Sequence, residues 1–175
     1  MNKQSNDSTF VPWAYKDVLC QHMVEFLGET DFQLSEWAWD KDTKEFNHGD
    51  LRGEFRSAGR MFMVLSEADR EQKALEEIRE SLWAFHPGWI ADWMEKNGKL
   101  RNGETVDDVT EMLRSSADLY EGCNALRARM IEDIEKFAKD ACEEDGYAMF
   151  ISTYDDEEYE YEAPDGLTYF VYRTN

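Results

Sequence analysis

YAMFISTYDDEEYEYEAPDGLTYFVYR, residues 147–173, carries the sharpest change of period in the chain. Upstream of Gly146, apolar residues recur at helical spacing. Past it, aromatic and β-branched residues alternate with polar ones, the two-residue period of a half-buried strand. Three runs are expected as strands: Tyr147–Tyr154, Glu157–Ala163 and Leu167–Arg173. The last two are joined by Ala-Pro-Asp-Gly-Leu, a turn with Pro at its second position and Gly at its fourth. The class is therefore α+β. A mainly helical body of about four or five helices over 10–145 should precede a C-terminal three-stranded antiparallel β-meander over 146–175. The expected organisation is a flexible tail, 1–9, and a single domain, 10–175.

Working back from that switch, Thr105 and Asp108 resemble a capping box, and the apolar positions Val109, Leu113, Leu126, Met130, Ile134 and Phe137 continue a helical pattern to about Glu144, kinked near Gly122. HPGW breaks the chain at 86–89, and a short amphipathic helix from Ile90 closes at Gly98. Ser66 with Asp69 starts a helix running to about Phe85, and Asp50 is an N-cap for a helical segment to Leu65. The run Met61–Leu65 reads as core. Residues 29–49 read as a short helical turn and loop, and a first helix runs from Pro12 to a stop at Gly28. Trp83 and Trp93 fit helix faces and are expected in the core, whereas Trp37 and Trp39 are either core or anchors of an interface.

Asp and Glu number 39 against 19 Lys and Arg, a formal net charge of −20. With 42% hydrophobic residues, six Trp, eight Tyr and ten Phe, the chain can nonetheless bury a core. Cys20, Cys123 and Cys142 offer neither a disulfide framework nor zinc-ligand spacing, so no metal or other cofactor is expected. The polar start MNKQSNDST has no apolar signal core, which points to a cytoplasmic protein. Such a surface repels nucleic acid and membranes and attracts basic sites.

The charge is concentrated. From Asp140 onward there are 11 acids and one base, Arg173, a net −10. Candidate partner-binding residues are Glu143, Glu144 and Asp145 at a helix end, followed by Asp155, Asp156, Glu157, Glu158, Glu160 and Glu162. On a strand, residues two apart share a face at about 6.7 Å. Glu158, Glu160 and Glu162 would then form a carboxylate row opposite Tyr159 and Tyr161, close to two phosphate steps of roughly 3.4 Å along duplex DNA. The competing reading is an edge strand kept unpaired by its charges. In length, charge and carboxylate clustering the chain is similar to the acidic inhibitors that bacteriophages and mobile elements direct against restriction enzymes, CRISPR effectors and repair glycosylases. That resemblance implies a non-enzymatic, DNA-mimic-like inhibitor of a basic, nucleic-acid-binding partner. An acidic immunity protein against a nuclease toxin belongs to the same class.

The enzymatic alternative rests on Glu76, Glu77 and Glu80, then Glu104 and Asp107 after a gap of 23 residues. The pattern resembles the all-α nucleoside triphosphate pyrophosphohydrolases, whose carboxylates hold Mg²⁺ to polarise phosphate and activate water. Helical phase opposes it, since Ile78 and Leu82 set the apolar face and the three Glu point almost opposite. Residues 40–51 fail as a calcium loop because Glu45 and Leu51 stand where Gly and Glu are needed. His22, His48 and His86 have no catalytic partner at a recognisable spacing, and His86 reads as a turn residue.

Overall fold

The computed structural model describes Val18, Gln21 and residues 53–57, 60–116, 123–163 and 166–175; for 53–57, 60 and 61 it describes the backbone alone. Val18 and Gln21 are helical, as expected for the first helix. The other positions of that expected helix, residues 1–9, Trp37, Trp39, residues 40–51, His22, His48 and Cys20 lie outside the described residues.

Phe62, Met63, Val64 and Leu65 are all buried, so both sides of this segment are covered. A strand enclosed on both faces reads as an unbroken apolar run, which period alone cannot separate from a buried helix. This is why 50–65, expected to be helical, forms a hairpin instead: β1 (Gly53–Ser57) and β2 (Arg60–Ser66), with Gly53 opposite Val64 and Ser57 opposite Arg60. The C-terminal turn is found where expected. Gly166 (φ 79°) donates to Ala163 O at 2.9 Å, and Ala163 N–H donates to Leu167 O at 2.9 Å. It joins β3 (Tyr159–Glu162) to β4 (Thr168–Arg173). β4 also pairs with β2, Leu65 lying opposite Phe170, which gives an antiparallel sheet in the order β1-β2-β4-β3. The α+β class and its antiparallel C-terminal sheet therefore stand, but the third strand is β2, paired to β4, and not 147–154, which the meander would have set beside β3.

The helices start on their caps. Ser66 Oγ accepts from Asp69 N–H at 3.3 Å and opens α1 (Glu67–Glu80). A 3₁₀ turn, Leu82–Ala84, ends the segment expected to remain helical to Phe85. His86, in the expected break between helices, serves as an N-cap: its Nδ1 accepts from Gly88 N–H at 3.2 Å and caps α2 (Pro87–Lys96), with Pro87 in the first turn. α2 ends at Gly98 (φ 64°) by the paired bonds Gly98 N–H to Glu95 O and Lys99 N–H to Met94 O, at 3.0 and 2.7 Å. The Thr105–Asp108 capping box opens α3 (Val106–Ser116).

The stretch expected as one kinked helix is divided. α3 is followed by α4 (Asn124–Ile131) and α5 (Ile134–Asp145), the last two separated by Glu132 at φ 65°, where α4 ends, and by Asp133, which caps Lys136 N–H at 3.1 Å. Residues 147–154, expected as a strand, begin with the single helical turn α6 (Ala148–Ile151), in which Tyr147 O accepts from Phe150 and Ile151. Ala-Met-Phe-Ile has no polar residue to set a two-residue period, so nothing local favours a strand there.

The chain divides into two units, Met1–Asp69 with Ser152–Asn175, which holds the sheet, and Arg70–Ile151, which is helical. In the helical unit Phe85, Trp89 and Trp93 surround Phe137 at ring separations of 5.2, 5.0 and 5.2 Å. Trp93 Nε1 donates to Asp140 at 2.8 Å and is buried as expected. Trp83 is not: it is exposed. Lys136, then Trp93, hold Asp140 below the usual carboxylate range against an opposing effect of burial. Stability from Asp140 is therefore present above the ordinary Asp pKa and lost as pH falls through the depressed one.

Arg127 on α4 is 1% exposed. Its Nη1 lies 2.7, 3.1 and 2.9 Å from Leu82 O, Trp83 O and Phe85 O, which share its two hydrogens, and Nη2 reaches Leu113 O at 3.4 Å. A single guanidinium thus ties α4 to the 3₁₀ turn and to α3, satisfying carbonyls that helix ends leave free.

Candidate functional site: an acidic sheet edge

β3 has the alternation expected of it: Glu160 and Glu162 are exposed, Tyr161 is buried and Tyr159 is half-buried. The two-residue period places the carboxylates on one face of the edge strand and the tyrosines on the other. Glu160 lies opposite Phe170 and Glu162 opposite Thr168, so the cross-strand neighbour of neither acid is a cation. Asp156 (φ 55°) and Glu157 in the approach to β3 are also exposed. Among the described residues, Asp156, Glu157, Glu160 and Glu162 form no ion pair.

Asp155 and Glu158, expected to be equally exposed, are half-buried and hold the fold together. The Asp155 carboxylate accepts from Glu157 N–H at 3.3 Å and lies 3.0 Å from Ser152 Oγ, whose one proton is shared with Arg173 O at 2.9 Å. Glu158 continues the β3–β4 register opposite Tyr172, and the Tyr172 hydroxyl donates to it. Tyr172 is fully buried. A buried phenol whose acceptor is a half-buried carboxylate serves stability, so Tyr172→Phe is expected to cost about 1–2 kcal/mol. A drop in the urea midpoint at unchanged slope checks this, and partner affinity should not move.

The field of the segment is visible at Tyr159. Burial first, then Asp155 and Glu157, raise its phenol above the ordinary tyrosine value, with Arg173 opposing. Uncompensated charge also shapes the whole chain, with acids exceeding bases by 20. Screening should therefore relieve self-repulsion, and the melting temperature is expected to rise from low to moderate ionic strength. A fall over that range would show attractive pairs to be dominant.

Glu143, Glu144 and Asp145 form the exposed last turn of α5, in the helical unit, while the six other acids belong to the sheet unit. They occupy the negative end of the helix dipole with no basic residue in that turn, an arrangement that costs stability. Glu144 accepts from Trp89 Nε1 at 3.2 Å, and Glu143 is 4.0 Å from Lys139, both groups exposed.

The enzymatic quintet is placed differently. Glu77 pairs with Lys73, Glu76 accepts from Gln72 at 2.8 Å, Glu80 and Asp107 are exposed, and Glu104 accepts from Arg101 N–H at 2.9 Å. Among the described residues no three of His, Cys, Asp and Glu are grouped to hold a metal ion, and no helix is long and apolar enough to cross a membrane.

The chain matches no protein-family model, no curated protein and no solved structure. Sequence reasoning missed two residues, Arg127 and Tyr172. The signal for Arg127 is its four-residue spacing to buried Ile131, which rotates the buried face of α4 away from Leu126, an apolar position of the expected helical pattern that is exposed. The signal for Tyr172 is its place opposite Glu158 once the turn at Gly166 fixes the register.

Proposed function

We propose that this chain is a non-enzymatic, cytoplasmic acidic binding protein that occupies and blocks a basic surface of a partner macromolecule. A nucleic-acid-binding protein such as a nuclease or CRISPR effector is the first candidate. One observation carries the reading: Asp156, Glu157, Glu160 and Glu162 are exposed within seven residues on a sheet edge and its approach, with no ion pair among the described residues. Like charges held together cost free energy that a cationic surface recovers, and carboxylates on a strand are presented at fixed spacing rather than on a floppy tail.

Affinity capture from cells with stepwise salt elution tests the reading. Basic proteins should be retained at low salt and released as salt rises, because screening weakens exposed charge pairs. Retention that is independent of salt, or confined to partners without a basic surface, would refute it.

A further inference from the structure

The open side of β3 is more than a row of charges. Ala163 N–H donates to Leu167 O, which fixes 163 and 167 as a hydrogen-bonded pair of the antiparallel ladder. Such pairs alternate, so Tyr161 with Tyr169 and Tyr159 with Val171 exchange the next bonds inward. The backbone N–H and C=O of Glu160 and Glu162 then point away from β4, out of the sheet. β3 is the terminal strand in the order β1-β2-β4-β3, and both Glu side chains are exposed. Among the described residues nothing bonds to the outward groups of Glu160 or Glu162.

We propose that this edge receives an extended segment of the basic partner as an added strand, with Lys or Arg at alternate positions and apolar or aromatic residues between them. The inference rests on the binding reading above and names its mode. Main-chain bonds to Glu160 and Glu162 supply affinity, and side-chain alternation supplies specificity. An incoming strand places residues two apart on the carboxylate face, about 6.7 Å from one another, matching Glu160 and Glu162. Its intervening side chains fall on the tyrosine face. Charge chooses the occupant: a second copy of this edge would set Glu against Glu, and like charges directly opposed are destabilising. A strand carrying cations satisfies both the backbone and the carboxylates.

The test uses the full chain and three synthetic peptides of six residues, end-capped: alternating valine and lysine; the same composition as a valine block followed by a lysine block; and the alternating peptide N-methylated at every second backbone nitrogen. Affinity is read by titration, and edge occupancy by hydrogen exchange of the Glu160 and Glu162 amides. The alternating peptide is expected to bind about tenfold tighter than either of the others, the factor that one to two net backbone hydrogen bonds supply. It should also slow exchange at both amides. Equal affinity of the alternating and block peptides with both amides unprotected would overturn strand addition, and would leave the charged-face reading intact. Absence of binding by the alternating peptide, while a basic protein partner is still captured, overturns it too. Protection of both amides without any peptide, rising with protein concentration, would assign the edge to a second copy and likewise refute the proposal. Failure to capture any basic partner refutes the underlying reading separately.

Discussion

Arg127→Met is expected to lower the unfolding free energy by about 3 kcal/mol or more, and the melting temperature by roughly 6–12 °C. Replacing a buried ion pair by apolar side chains is often neutral, because both charges leave together. Here the acceptors cannot leave. They are backbone carbonyls that remain in place once the guanidinium is gone; Leu82 O keeps Phe85 N–H at 3.3 Å and Leu113 O keeps the Ser116 hydroxyl at 2.7 Å, so the loss falls on Trp83 O and Phe85 O. Each carbonyl stranded without a donor costs about 1–3 kcal/mol, and Met supplies bulk but no hydrogen. Arg127→Lys should fall between, since an ammonium is a point charge that cannot span carbonyls contributed by both the 3₁₀ turn and α3. Thermal and urea unfolding of the wild type and both variants checks the order. A Met variant melting within about 2 °C of the wild type would show that water replaces the guanidinium at no cost.

The same residue explains how far the sequence could be read. Local signals survived intact: Ser66 with Asp69, Thr105 with Asp108, and the Gly98 stop all act as written, because a cap or a positive φ is decided within a few residues. The β3–β4 hairpin was legible for the same reason, since Gly166 fixes its turn and β3 alternates exposed and buried residues. Elements decided by distant contacts were not. β2 is buried on both faces by its place in the sheet, so its apolar run carried no period to distinguish strand from helix. Arg127 carried no local signal of its partners, because its acceptors lie 42–45 residues upstream on the 3₁₀ turn and its flank and 14 residues upstream on α3. Within the candidate site the strand period separated Glu160 and Glu162 from Tyr161. It could not show that Glu158 answers to Tyr172 on the neighbouring strand.

That separation decides which acids a functional test should change. Neutralising Asp155 and Glu158 would confuse loss of binding with loss of structure, because both accept hydrogen bonds within the fold. The combination Asp156→Asn, Glu157→Gln, Glu160→Gln and Glu162→Gln removes four exposed charges and none of those bonds. Asn tolerates the left-handed backbone that residue 156 adopts at φ 55°. The quadruple variant should melt no lower than the wild type, and higher at low ionic strength where like charges repel most. Partner affinity should fall by about 1–4 kcal/mol, four exposed pairs at up to 1 kcal/mol each, or roughly 5- to 800-fold. Most of that loss at low salt should lie in the association rate, with a shallower salt dependence, since exposed charges act by steering. Neutralising Glu71, Glu80, Asp92 and Glu95, also exposed but on α1 and α2, changes the net charge by the same amount. It should weaken binding only by the shared loss of long-range attraction. If the two quadruple variants lost affinity equally, net charge rather than the sheet edge would be what the partner senses. If the edge variant stayed folded and bound as tightly as the wild type at physiological salt, the edge would not be the interface.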